Sequence, residues 1–196
     1  HIPIVLSEQN HQVNILGLTL QVRKHKKHLK DYMMTLEKLE TIPNFLKHGT
    51  FQELKREIIS PDFTWHYAMS PGEPEQYCRI LYWDHSFNCD SKLMRILRSI
   101  TNQLNAIAIL KIKVNATTRN SPEQLWHRDW NISTPSKTCI IYLNTSNGYT
   151  EIEETGLKID SVENTAVIFD TNIRHRGVPQ TDVDRRLVMN ITYFER

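Results

Sequence analysis

The chain has 196 residues, 39% of them hydrophobic and 23% charged, with a formal net charge of +2. That length suits one domain with a real hydrophobic core, and the near-neutral balance neither demands nor excludes a nucleic-acid partner. No stretch approaches the roughly 20 apolar residues of a membrane helix, and the opening His-Ile-Pro-Ile carries no signal-peptide pattern.

Along the chain, Arg23 to Lys30 is a basic run that reads as a solvated helix face or loop. Tyr32 to Leu39 and Phe51 to Ile59 read as short amphipathic helices. Phe63 to Met69 is rich in β-favouring residues and predicts a strand. His66 on it fits a packed or hydrogen-bonded sheet histidine better than a metal ligand. Asp90-Ser91 is an N-terminal cap, followed by Leu93, Met94, Ile96, Leu97, Ile100 and Leu104 at helical spacing. Cys78, Cys89 and Cys139 form no CxxC pair, so a disulfide framework or thiolate metal site is disfavoured and a reducing, cytoplasmic setting fits.

After about Asn105 the patterns become strand-like. Ala106 to Val114, Thr138 to Leu143, Leu157 to Val162, Ala166 to Phe169 and Leu187 to Phe194 predict strands. Asn147-Gly148 reads as a hairpin turn and Thr155-Gly156 as another. The expectation is an α+β fold, mainly β. Residues 1–196 form one domain, with helix-rich support in 1–105 and a jelly roll in 106–196.

The chemistry centres on Trp126-His127-Arg128-Asp129-Trp130. In extended chain, residues i and i+2 share a face, so His127 and Asp129 can aim at one point while Trp126 and Trp130 project the other way and brace them. His175 is the best third ligand. Two histidines and one carboxylate hold one face of an octahedral iron and leave room for a bidentate 2-oxo acid and dioxygen. An isolated HxD is a weak signal, and it gains weight from the strands nearer the C-terminus. Strand period puts Leu187, Met189, Ile191 and Tyr193 on one apolar face, and Arg186, Val188, Asn190 and Thr192 on the other. Arg186 has the planar fork that pairs with a carboxylate, whereas Arg185 points to the opposite side. Thr138, Ile140 and Tyr142 likewise share a face, from which Tyr142 could offer a hydroxyl and Ile140 an apolar wall.

From Lys111 to Phe194 the chain resembles the 2-oxoglutarate/Fe(II) oxygenase superfamily. The residues that carry the likeness are His127-x-Asp129, Thr138-Cys-Ile-Ile-Tyr-Leu-Asn144, Asn147-Gly-Tyr-Thr-Glu151, His175 and Arg186 to Phe194. The branch is similar to prolyl hydroxylases, and the combination of motifs is closer to small phage and marine-bacterial oxygenases. The resemblance implies a double-stranded β-helix (cupin-like) core, with His127, Asp129 and His175 as catalytic iron ligands. It also implies Arg186 and Tyr142 on the distal carboxylate of 2-oxoglutarate, and Asn190 bordering that co-substrate. The implied cofactors are Fe(II), 2-oxoglutarate and dioxygen. The implied reaction couples decarboxylation of 2-oxoglutarate to succinate with hydroxylation of a second molecule, such as a prolyl or other residue of a peptide or protein.

Two departures bear on substrate identity: Gly148-Tyr149 replaces a paired glycine, and Arg186 comes 11 residues after His175. Rival readings are an oxidative demethylase of nucleic-acid bases, suggested by Asn190-x-Thr192, and a non-catalytic jelly-roll binding domain. Substrate selection is expected from Ser70 to Tyr77, Thr117 to Gln124 and Asn131 to Lys137.

Overall fold

The computed structural model describes residues 39–68, 76–119, 121–131 and 133–196. The basic run Arg23 to Lys30 and residues 32–38 of the first expected helix lie outside the described residues. In chain order the elements are β1 (Leu39–Ile42), α1 (His48–Ile59), β2 (His66–Ala68), β3 (Gln76–Trp83), β4 (Ser86–Phe87) and α2 (Ser91–Gln103). They continue with β5 (Ala106–Thr118), β6 (Lys137–Tyr142), β7 (Ser146–Ile152), β8 (Lys158–Ser161), β9 (Ala166–Asp170), β10 (His175–Val178) and β11 (Arg185–Glu195).

The helices are amphipathic. Phe51, Leu54 and Ile58 give α1 a buried stripe, and Leu93, Ile96, Leu97 and Ile100 give one to α2. Asp90 starts α2 by accepting hydrogen bonds from the backbone N–H groups of Lys92 and Leu93, both at 2.8 Å. That satisfies two of the donors a helix leaves unpaired at its N-terminus.

The strands form a large sheet in the order β1-β9-β6-β11-β5-β3-β2, with β4 on β3, and a small sheet β10-β7-β8. Every pairing is antiparallel. Strands from the first half of the chain, β1 to β4, thus join the same sheet as strands from the second. This is the expected double-stranded β-helix, mainly β, with helices on one side.

Strand parity decides where the core sits. Cys139 and Ile141 of β6, and Met189, Ile191 and Tyr193 of β11, face the helices in one apolar cluster. Ile140 and Tyr142 of β6, Val167 and Phe169 of β9, and Val188 of β11 face the other way. They pack there with Ile152 of β7 and Ile159 of β8. The large sheet therefore has two covered faces, one against α1 and α2 and one against the small sheet.

Asn147-Gly148 is not a hairpin turn, because both residues lie inside β7. A Cβ at Gly148 would come within 2.8 Å of the Val178 carbonyl oxygen and 2.9 Å of Arg186 Cδ. The glycine answers a close approach rather than a change of chain direction. The Thr155-Gly156 turn does form, with Gly156 at φ +65° joining β7 to β8. Of the expected strand from Phe63 to Met69, residues 66–68 form β2, and Leu39 begins a strand instead of ending a helix. Cys78, Cys89 and Cys139 are all free thiols. Among the described residues no helix is long and apolar enough to cross a membrane.

Leu97 is fully buried between α2 and the large sheet. Leu97→Ala should cost about 2–5 kcal/mol of stability. Exposed Arg95 on the same helix, changed to alanine, should move stability by no more than about 0.5 kcal/mol. Urea unfolding of the two variants checks the difference.

Candidate active site

The segment before β6 adds an irregular fourth strand to the small sheet. The Gln124 N–H donates to the Gly177 carbonyl at 3.1 Å, and the Gly177 N–H donates to the Gln124 side-chain oxygen at 2.9 Å. Three residues on, the backbones of His127 and His175 exchange two hydrogen bonds, each 3.0 Å. Two histidines 48 positions apart in the sequence are thereby fixed side by side by main-chain pairing, with ring centroids 4.7 Å apart.

Both rings are oriented the same way. His127 Nδ1 lies 2.9 Å from the Leu125 carbonyl oxygen, and His175 Nδ1 lies 3.2 Å from that of Ile173. A carbonyl can only accept, so each Nδ1 carries the proton and each Nε2 presents a lone pair. His175 Nε2 is buried without a hydrogen-bond partner among the described residues. Asp129 completes the group: its Oδ2 is 3.7 Å from His175 Nε2, and one ligand atom from each of the three residues lies within 4.8 Å of the others. Asn190 Nδ2 makes long contacts of 3.4 Å to both carboxylate oxygens.

The electrostatics keep Asp129 and His175 in ligating form. Burial pushes the Asp129 carboxyl up, but His175, Lys111, His127 and the Asn190 amide together outweigh it and hold it below its ordinary value. Burial lowers the His175 pKa, with Asp129 opposing. At neutral pH the cluster holds one carboxylate and a neutral His175, and its inward-facing imidazole nitrogen lacks a partner. That donor set suits a divalent transition metal, and the carbonyl contacts of both Nδ1 atoms are the usual support for metal-bound histidines.

The same cavity continues to Arg186. It holds about 530 Å³ and is lined by His127, Asp129, His175, Asn190, Val188, Ile140, Thr150 and Arg186 among others. Arg186 is 4% exposed. Its Nε donates to Ser161 Oγ at 2.6 Å and its Nη2 to Thr150 Oγ1 at 3.1 Å. No carboxylate pairs with it among the described residues. Burial lowers its pKa, but arginine stays protonated at any physiological pH. A buried, unpaired cation at the end of a cavity is a seat for an anion.

Tyr142 lies behind this seat. Its ring is 5.4 Å from the Arg186 guanidinium carbon, and it is fully buried. Burial raises its pKa, so the hydroxyl keeps its proton and donates to Thr150 Oγ1 at 2.8 Å. Thr150 thus accepts from both Tyr142 and Arg186. Both lone pairs of its oxygen are taken, and its own proton is left for a third acceptor.

The fold therefore brings His127, Asp129, His175, Asn190 and Arg186 into one cavity and sets Tyr142 behind it. Arg185 is exposed. His66 is on β2 and is not part of the cavity lining. Trp126 sits 4.4 Å under Arg176, and Trp130 packs on Trp83 at 5.1 Å, so both brace the ligand segment from outside. Sequence reasoning missed Thr150, Ser161, Gln124 and Lys111, whose Nζ donates to the Asp129 carbonyl at 3.2 Å. The alternation in β7 could have pointed to Thr150, but nothing local marks Ser161.

No protein-family model and no curated protein matches the sequence. Solved structures do resemble it in fold. A prolyl-4-hydroxylase from Pseudomonas putida has a TM-score of 0.60 and 14% identity, covering 81% of this chain and 92% of that one. A prolyl hydroxylase from Trichoplax adhaerens, in complex with a hypoxia-inducible-factor oxygen-degradation-domain peptide fragment, has a TM-score of 0.62 and 15% identity. The match covers 90% of this chain and 93% of that one. The non-heme α-ketoglutarate-dependent epimerase SnoN from nogalamycin biosynthesis has a TM-score of 0.60 and 13% identity, covering 85% and 82%. The fold of this chain is that of the 2-oxoglutarate/Fe(II) oxygenases, prolyl hydroxylases among them.

The cluster makes two outcomes testable. Adding Co(II) or Ni(II) to metal-free protein should raise the melting temperature, by linkage to the folded state, and His175→Ala should abolish that shift. Because the His175 pKa is lowered on folding, the unfolded chain binds more protons once pH falls below about 6.5. Stability of the metal-free protein should therefore fall as pH drops below that value, and His175→Gln should flatten the slope. Thermal melts between about pH 7.5 and pH 5.5 test it.

Proposed function

We propose that the protein is a non-haem Fe(II)- and 2-oxoglutarate-dependent dioxygenase that hydroxylates a second molecule. One observation carries the reading. The His127–Asp129–His175 cluster and the unpaired, buried Arg186 open into one cavity, and β11 links them through Asn190 and Arg186. A metal site alone would have no use for a buried guanidinium. A 2-oxo diacid needs both a metal and a distal cation.

Iron(II) held by His127, Asp129 and His175 would supply dioxygen activation, in which R–H, O2 and 2-oxoglutarate become R–OH, succinate and CO2. The side chains have distinct tasks. The two Leu125 and Ile173 carbonyls fix the imidazole tautomers, and Asn190 steadies the Asp129 carboxylate. Arg186 binds the distal carboxylate, with the free proton of Thr150 as a second donor. Tyr142 holds Thr150 and the guanidinium in place rather than touching the co-substrate. Ile140 and Val188 wall the aliphatic middle of the diacid. No strong general acid or base is required, and among the described residues Asp129 is the one carboxylate lining the cavity.

The structural relatives span a peptide-bound prolyl hydroxylase and an epimerase from nogalamycin biosynthesis. We favour hydroxylation of a prolyl or other peptide residue or of a small molecule. The test is anaerobic addition of Fe(II) and 2-oxoglutarate, monitored by the metal-to-ligand charge-transfer band, then succinate release in air. Arg186→Ala should weaken 2-oxoglutarate binding about 10- to 100-fold, the range expected for losing a charge-assisted hydrogen-bond pair. His127→Ala should remove both the band and succinate formation. Full-rate succinate release by His127→Ala would overturn the reading.

A further inference from the structure

Resting on the reading that Arg186 holds 2-oxoglutarate, we propose that Lys113, with Lys111 beside it, forms a second anion seat in the cavity. The primary substrate places a carboxylate or phosphate there. The two lysines are i and i+2 on β5 and both line the cavity. The register locates them. Arg186 is opposite Thr117, and Lys113 is opposite Asn190, the residue that touches Asp129. Lys113 is thus about 13 Å along the strand from the Arg186 pairing, at four residues of about 3.3 Å each. It stands at the level of the metal ligands, on the side leading to β3. A diacid reaching from Arg186 to the metal has both its carboxylates engaged before Lys113 is met.

The cavity lining carries an excess of positive charge. Elsewhere five described cations pair with carboxylates: Lys55 with Glu163, Lys92 with Glu57, Arg119 with Asp184, Arg174 with Glu153 and Arg176 with Glu151. Inside the cavity Lys111, Lys113, Arg128 and Arg186 face a single carboxylate, Asp129. Lys111 is already held, by the Asp129 carbonyl at 3.2 Å and over the Trp130 ring at 5.7 Å. Lys113 has no hydrogen bond or ion pair among the described residues. Both lysines lie on the same face of β5 and project toward the same cavity. Placing like charges side by side is unfavourable until an anion joins them. Across from Lys113 on β3, Ile80 is exposed and offers an apolar surface next to the charge.

The experiment uses the metal-free full chain and amide chemical shifts, titrated separately with inorganic phosphate, acetate and 2-oxoglutarate. Phosphate or acetate should perturb amides around Lys113 and Ile80, and the tighter of the two identifies the group held. Lys113→Met should weaken that binding tenfold or more, Lys113→Arg should retain it, and Arg186→Met should leave it unchanged. 2-Oxoglutarate should show the reverse dependence, with shifts around Thr150 and Ser161. The proposal is overturned if neither anion binds, if binding ignores Lys113→Met, or if that variant weakens 2-oxoglutarate as much as Arg186→Met does. If Arg186→Met leaves 2-oxoglutarate binding intact, the co-substrate reading fails instead, and Lys113-dependent anion binding stands apart from it.

Discussion

Strand β11 lies at the centre of the large sheet and has to satisfy two different environments. Its period of two sends Met189, Ile191 and Tyr193 into the apolar layer under the helices and Arg186, Val188 and Asn190 into the cavity. A slip of one residue would exchange the two sets, driving a guanidinium into the helix-packed core. Pairing with β5 on one side and β6 on the other forbids that slip. The register of this one strand therefore places the anion seat, the residue beside the metal ligands and three residues of the helix-packed core at once.

The small sheet supplies the other half of the site by a different means. His127 and His175 are aligned by backbone hydrogen bonds, and their rings by carbonyls two residues earlier. Neither device draws on a neighbouring side chain, so the geometry tolerates variety in the surrounding sequence. The cost of this preorganisation is electrostatic. A buried Arg186 and an unpartnered His175 Nε2 are unfavourable on their own. The hydroxyls of Thr150 and Ser161 offset part of it for the arginine, as neutral dipoles that leave its charge available.

The features legible in the sequence were those that depend on local period. The Asp90 cap, the stripe of α2, and the opposite faces of β6 and β11 all arise from spacing within one element, and the structure has them. The convergence of His127, Asp129 and His175 was legible once Arg186 and its strand were weighed with them. Spacing could not reveal which residues sit across from one another. Ser161 meets Arg186 from another sheet, 25 positions away, and nothing in Lys-Ile-Asp-Ser announces it. Strand β1 is too short to show a period, and the alternation of β3 is broken by an irregularity between Ile80 and Tyr82, so the first half of the chain read as more helical than it is. Asn147-Gly148 misled because a glycine required by a crowded neighbour looks the same in sequence as one required by a turn.

That glycine has a consequence for how the protein can change. The space a side chain would occupy at position 148 is taken by the Val178 carbonyl oxygen, the Arg186 Cδ and the Gln180 backbone nitrogen. Arg186 can therefore lie along β7 only where residue 148 carries no side chain. A side chain at position 148 would have to displace both the stem of the cation and the backbone of Val178 and Gln180. Even with the cation shortened, the backbone contacts would still call for glycine at position 148.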